Sequence, residues 1–291
     1  KAFINHPNFE LLAGVDKDKE NCNTFTKKYH IQSYLKIEEA LIEKKPDVIV
    51  IATPTQTHKK ISETICNSNI IPKIVLCEKP IAYSLDDSIF IVDIFKKKKI
   101  PLFINYMRRS DPGVIQIKRN IENEDFNFPF KGFCWYSNGI YNNASHFIDL
   151  LQFWFGNSIF CKNISENRIL NQYDQENDFV IEFLKGKIIF SSLWEERFSH
   201  NTVEILFDNG KLSYMEGGSK LTWQNIKLDP IFDDYKIVNK EKLFIPNQMN
   251  FSQLNVVNEL DNFLNNRKFS LCSSNQALDT IKTIESILKK I

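Results

Sequence analysis

Lys79 stands at the end of the run 74–80, IVLCEKP, where four apolar residues give way to an acid, a lysine and a proline. Such a run suits a strand buried on both faces that emerges at its carboxyl edge. Ligands of open α/β sheets bind along that edge, which puts Lys79 near a cleft. A lysine withdrawn from water there has its pKa pushed down toward the working range and can exchange a proton with a substrate. A solvated loop lysine is the plainer reading of the same residues. The second proton-carrying candidate is His146, which begins the apolar part of 144–155, ASHFIDLLQFWF, with Asp149 one helical turn on and sharing its face. A cap or a satisfied core histidine is the plainer account of that position.

The elements that would hold these groups follow two grammars. Residues 9–16 (FELLAGVD) form an expected strand ending on Asp16, 18–29 a polar helix, 37–44 a short helix, and 47–52 (DVIVIA) an apolar strand. Residues 55–68 are helical, with Ile61 and Ile65 one turn apart; 73–77 is the strand before Lys79. Ser84 with Asp87 three residues on resembles a capping box opening the next helix, and 101–106 is a further strand. Strands alternating with helices at this spacing indicate a parallel sheet. Beyond about residue 105, and after a helix over 111–121, strands alternate in polarity and pair through tight turns. Strands 179–184 and 187–193 flank Lys185-Gly186, and 203–208 and 211–215 flank Asn209-Gly210, a strong hairpin signal. Helices over 144–155, 252–265 and 275–290 cover that sheet. The expected fold is therefore α/β plus α+β: a Rossmann-type parallel domain over 1–105, then an open-faced, mostly antiparallel sheet covered by helices over 106–291.

Composition removes several function classes. The 291 residues are 43% hydrophobic and 25% charged with net charge +1, which argues against a nucleic-acid surface, and only six of the 37 basic residues are Arg. The run 96–99 (KKKK) reads as the solvated last turn of a helix. The six cysteines lie far apart, without metal-ligand spacing, and read as thiols in a reducing compartment. No apolar run reaches the length of a membrane span and no signal core follows a basic start, so a cytoplasmic location is expected.

An acid ending the second strand of a parallel α/β domain is the group that holds a cofactor ribose in dinucleotide-binding folds, and Asp16 fits that role. The Gly-rich phosphate loop should lie about 20 residues earlier. None of the fifteen residues ahead of Asp16 makes a Gly-x-Gly-x-x-Gly motif. Two explanations are open: the loop and first strand lie upstream of Lys1, as residues 1–6 reading like the tail of a helix suggests, or Asp16 is an ordinary strand-end acid.

Four motifs in order resemble the glucose-fructose oxidoreductase, inositol dehydrogenase and rhizopine-catabolism (Gfo/Idh/MocA) superfamily of NAD(P)-dependent sugar oxidoreductases. They are Ala52-Thr53-Pro54 with His58; Glu78-Lys79-Pro80; Asn105-Tyr106-Met107-Arg108-Arg109 with Asp111-Pro112; and His146-Phe147-Ile148-Asp149. The resemblance implies a Rossmann domain lacking its N-terminal strand and loop, a second sheet domain, the substrate between them, and nicotinamide as hydride carrier. Lys79 then matches the lysine that approaches nicotinamide and the reacting hydroxyl, and His146 the histidine that contacts substrate and relays the proton. Asp16, Thr53, Pro54, Thr55, His58, Glu78 and Lys79 are the implied cofactor residues; Lys79, Asn105, Arg109, Asn142 and His146 the implied substrate residues. The family often has aspartate where this chain has Asn142, and an amide can bind a sugar hydroxyl without acting as a base. Arg109 could bind an acidic substrate group or pair with Asp111. Trp135 and Tyr136 could line a sugar site, but on an alternating strand they suit sheet packing equally.

The expectation is an NAD(P)-dependent oxidoreductase acting on a ring hydroxyl or ketone of a sugar, nucleotide-sugar or cyclitol, with no metal. Asp16 favours NAD because a carboxylate repels a 2′-phosphate, while the adjacent Lys17 keeps NADP open. A homodimer or homotetramer through the second domain's sheet is expected. The alternative is a non-catalytic sugar- or nucleotide-binding regulator of the same fold.

Overall fold

The structure is a computed structural model that describes residues 1–193 and 198–289. The chain divides into two compact units, Lys1–Asn105 with Val256–Leu278, and Tyr106–Asn255 with Asp279–Ile291. The expected second range, 106–291, thus contains a stretch that returns to the first unit.

In the first unit the order is β1 (Gly14–Val15), α1 (Lys19–Tyr29), β2 (Ser33–Tyr34), α2 (Ile37–Lys44), β3 (Val48–Ile51), α3 (His58–Asn67), β4 (Ile74–Cys77), α4 (Leu85–Lys98) and β5 (Leu102–Ile104). β3, β4 and β5 pair in parallel, and β1 pairs in parallel with β2 in a separate two-stranded sheet. Every residue of β4 is buried, as its apolar run requires. Val50 of β3 is 41% exposed because β3 ends the order of its sheet. The strand expected over 9–16 forms a ladder only at Gly14 and Val15, since its partner β2 is two residues long. Ser84 caps as its spacing predicts, accepting from Asp87 N; Asp18, expected as the first helical residue, instead caps α1 by accepting from Glu20 N.

The second unit holds α5 (Pro112–Glu122), β6 (Phe130–Tyr136), α6 (Ser145–Phe155), β7 (Phe160–Asn163), β8 (Arg168–Ile169), β9 (Gln175–Glu176), β10 (Phe179–Phe183), β11 (Gly186–Ser192), β12 (Thr202–Phe207), β13 (Gly210–Met215), β14 (Lys220–Leu228), β15 (Lys236–Val238) and β16 (Leu243–Ile245). Its nine-stranded sheet runs β15-β14-β13-β12-β6-β11-β10-β7, with β16 also on β14. β6 and β11 are parallel and the other pairs antiparallel. One face is aromatic: Phe130 stacks on Phe155 of α6 at 4.0 Å, and Phe147 and Trp154 meet Tyr214 edge-on. α6 from Ser145 to Trp154 is buried throughout.

Three further elements close the chain: α7 (Ser252–Leu264), β17 (Cys272–Ser273) and α8 (Ser274–Leu288). β17 pairs antiparallel with β5, and Phe263 and Phe269 pack on Phe103 at 5.0 and 5.7 Å, which is why 256–278 belongs to the first unit. Lys290, the expected end of the last helix, lies outside the described residues.

Both hairpins form, one residue out of the expected register. Phe183 pairs with Gly186 and Phe207 with Gly210, so the turns are 184–185 and 208–209 and each glycine opens a strand. A Cβ on Gly186 would lie 2.3 Å from Phe130 O, and one on Gly210 2.3 Å from Trp223. Close approach of a neighbouring chain, not turn geometry, selects glycine there.

Candidate active site

In the first unit the expected site residues gather at the carboxyl ends of the parallel strands. Glu78 and Lys79 follow β4 directly, both half-buried, while Pro80 is buried behind a cis peptide bond. Glu78 N donates to Ile51 O at 2.8 Å and Asn105 N donates to Cys77 O at 2.8 Å, so the ends of β3, β4 and β5 are tied in line. Asn105, 4% exposed, donates from Nδ2 to Glu78 Oε1 at 2.7 Å. That bond orients the carboxylate beside Lys79. The expected substrate residue Asn105 therefore has one amide donor committed to the expected cofactor residue Glu78.

His58 corrects the expectation. It is fully buried, with Nε2 2.9 Å from Thr53 O and Nδ1 3.2 Å from Ile81 O and 3.4 Å from Cys77 Sγ. A ring so engaged presents no edge to a cofactor; it pins the loop after β3 to the loop after β4. Burial pushes the Cys77 thiol far above its ordinary range, which keeps it a neutral partner for the ring. The residues left to face a ligand on this loop are Thr53, Pro54 and Thr55, each half-buried or exposed. Thr57 Oγ1 lies 2.8 Å from both Pro54 O, to which its hydroxyl can donate, and Thr53 Oγ1, from which it can then accept, bracing them. Asp16 ends β1 half-exposed, its Oδ1 accepting from Asp18 N at 2.9 Å and its Oδ2 from Asn21 Nδ2 at 3.1 Å.

In the second unit His146 lies in the first turn of α6, 6% exposed, with its ring edge-on to Tyr106 at 5.7 Å. Arg109 is the second correction. Its Nε and Nη2 donate to Asp149 Oδ2 and Oδ1, both at 2.6 Å, with the two side chains 2% and 0% exposed. A planar fork matched to a carboxylate out of water makes this ion pair structural, so neither an acidic substrate nor Asp111 claims Arg109. Asp111 instead caps α5, accepting from Gly113 N and Val114 N, and takes Gln248 N on its other oxygen. Asp149, one turn past His146, holds the Arg109 fork on both oxygens.

A feature absent from the sequence reading shapes the approach to His146. Gly139–Ala144 winds as one π-helical turn, entered through Asn138 and Gly139 at φ 67° and 87°. Two buried carboxylates hold it: Glu176 accepts from Asn138 N and Gly139 N, and Asp174 from Tyr141 N and Asn142 N. Burial raises the Asp174 pKa although main-chain N–H groups partly offset it. The Asn142 side chain is exposed while its backbone is held. No local pattern advertises this turn, because its holders come from about 30 residues downstream. Tyr136 is sheet core, its hydroxyl bonded to the Asn177 main chain, whereas Trp135 is 39% exposed.

Residues 1–106 match the model of the oxidoreductase family with an NAD-binding Rossmann fold. Over that stretch the chain is similar to the Rossmann domain of the Gfo/Idh/MocA oxidoreductase family. Inositol 2-dehydrogenase of Salmonella typhimurium is 29% identical over 123 residues, 41% of this chain and 36% of that protein. The chain spans about a third of the length of the curated relatives it matches. Among solved structures, the WlbA dehydrogenase from Bordetella pertussis, in complex with NADH and UDP-GlcNAcA, superposes with TM-score 0.77 at 16% identity, covering 98% of this chain and 89% of that one. The super-repressor mutant of Gal80p from Saccharomyces cerevisiae does so with TM-score 0.77 at 15% identity and the same coverage. At such identity the likeness is one of fold: a Rossmann domain followed by a mostly antiparallel sheet domain with helices.

Proposed function

We propose that this protein is an NAD(P)-dependent oxidoreductase that moves a hydride between nicotinamide and a ring hydroxyl or ketone of a sugar, nucleotide-sugar or cyclitol. The observation that carries the reading is Lys79 at the carboxyl end of a fully buried parallel strand, beside the fixed Glu78 carboxylate, inside the region that matches an NAD-binding family. The inositol dehydrogenase relative supports the substrate class.

The residues present fit the ribose and nicotinamide ends of the cofactor. Asp16 uses one acceptor site on each oxygen within its own loop, and a carboxylate has about four, so two ribose hydroxyls can still be received. Asp18, which caps α1, adds a second acid where a 2′-phosphate would lie, which favours NAD. Thr53, Pro54 and Thr55 would face the nicotinamide side. When bound, the cofactor supplies or accepts the hydride. Lys79 Nζ holds the proton that leaves or joins the hydroxyl, and its hydrogen bond is strongest to the developing alkoxide. His146 is the second proton-handling group and Asn142 a hydroxyl-binding amide. Self-association through the open face of the second unit's sheet and a cytoplasmic location complete the proposal; no disulfide joins the six cysteines.

A non-catalytic regulator is the second reading, favoured by Asn142 in place of an acid and by the likeness to Gal80p. The Lys79→Ala variant separates the two. Oxidation of cyclitols and sugar nucleotides should fall at least about a thousandfold while NADH affinity holds within about threefold. Turnover equal to that of the unaltered chain would remove Lys79 from the mechanism.

A further inference from the structure

Gln152 in the last turn of α6 and Thr283 on α8 are buried polar side chains, 8% and 4% exposed, that the chemistry at Lys79 and His146 does not use. They line a groove of about 380 Å³ whose other walls are the segment 157–161 and the outer turns of α8. Cavities of that size take small molecules. The whole lining belongs to the second unit. The hydrogens of the floor are committed. Thr280 Oγ1 donates to Gln152 Oε1 and Gln152 Nε2 to Thr283 Oγ1, both at 2.9 Å, and Thr283 Oγ1 donates in turn to Asp279 O at 3.0 Å. With its one hydrogen used, Thr283 Oγ1 can only accept from Ser158 Oγ, 2.9 Å away. Ser158 Oγ therefore keeps its lone pairs for an occupant.

At the rim the Asp279 carboxylate accepts from Asn157 Nδ2 at 3.2 Å and from Lys282 Nζ at 2.9 Å, one bond on each oxygen. A carboxylate has about four acceptor sites and an ammonium three donors, so both retain capacity. Charge then decides the class of occupant. Asp279 and Lys282 are the charged groups of the lining and neutralise each other, so an anion would meet the carboxylate and a cation the ammonium. Burial pushes the Cys161 thiol up, so it adds no charge. The rest of the polar lining is amide and hydroxyl. Groups that donate and accept side by side match hydroxyls, which do both. We propose that this groove binds a neutral polyhydroxy compound, a free sugar or polyol, at a site separate from Lys79 and independent of the oxidoreductase reading. Asp279 and Ser158 accept from its hydroxyls, Lys282 donates to them, and Ile159 supplies an apolar wall.

Calorimetric titration of glucose and of myo-inositol into the full chain tests it, with glucose 6-phosphate as the charged counterpart. The Lys79→Ala chain removes the other candidate sugar site, and in that background Asp279→Asn alters the rim while Ser286→Phe fills the groove from an exposed position on α8. An unchanged circular dichroism melt checks the fold of each variant. At least one neutral probe should bind the Lys79→Ala chain within about threefold of its affinity for the groove in the unaltered chain, and should weaken at least about tenfold with either groove substitution. Glucose 6-phosphate should bind the Lys79→Ala chain no tighter than glucose. Binding that vanishes with Lys79→Ala, or that ignores both groove substitutions, overturns the site. Tighter binding of glucose 6-phosphate, lost with Ser286→Phe, overturns the neutral class in favour of an anion. Heat of dilution alone from both neutral probes overturns the site and leaves the role of Lys79 to its own test.

Discussion

Arg109 and Asp149 form a two-pronged ion pair, 2.6 Å on each prong, sealed in the second unit's core one helical turn after His146. The pair ties the 3-10 turn Met107–Ser110 to α6 and so fixes where the His146 helix begins. Removing one partner strands the other charge out of water. Arg109→Ala should cost about 3–5 kcal/mol in urea unfolding, whereas Arg109→Met with Asp149→Leu should cost much less. Equal losses would mean that packing, not the charge pair, matters.

His58 offers a test of indirect action. Replacing it with Leu keeps volume but takes the ring N–H away from the carbonyl it serves, Thr53 O or Ile81 O, at about 1–3 kcal/mol. The loop bearing Thr53 and Pro54 loosens as well. Calorimetry should show a lower melting temperature together with weaker NADH binding, and binding unchanged at a temperature well below the melt would confine His58 to stability.

Much of this was legible beforehand, and the failures share a cause. The position of Lys79 followed from four apolar residues and the carboxyl-edge rule, and the cap Ser84 from local spacing, because each depends on neighbours within a turn or strand. The fate of Arg109 did not follow, since its partner is 40 residues away and the nearer Asp111 and an acidic substrate group were the alternatives at hand. Asn209-Gly210 named the hairpin but missed its register, because glycine was selected by Trp223 from the next strand. The π-helical turn was invisible for the same reason: its carboxylates arrive from Asp174 and Glu176.

That turn predicts a sharp response at Gly139. A Cβ there would lie 2.1 Å from Asp174 Oδ2, at φ 87°, against a carboxylate that main-chain donors keep from moving. Gly139→Ala should destabilise the fold by about 1–3 kcal/mol. Urea unfolding measures it, and a change below about 0.5 kcal/mol would show the turn to be compliant.

Asp174 also sets a pH dependence. Burial raises its pKa in the fold above the unfolded value of about 3.9, so the folded chain holds this proton more tightly. Its contribution is greatest below the unfolded value and is lost as pH rises through the folded one. Relative to Asp174→Asn, the unaltered protein should therefore lose stability across that acid window and run parallel to the variant above it. Urea titrations at a series of pH values check the sign, and a gain with rising pH would contradict the burial argument.

The central claim is a nicotinamide cofactor held by Asp16 after β1, Thr53 after β3 and Lys79 after β4, and titration of NADH into the purified chain followed by nucleotide fluorescence addresses it most directly. Saturable binding, weakened at least about tenfold by Asp16→Ala and tighter than for NADPH, is the expected result. Fluorescence that never saturates, or equal affinity with Asp16 removed, would contradict it.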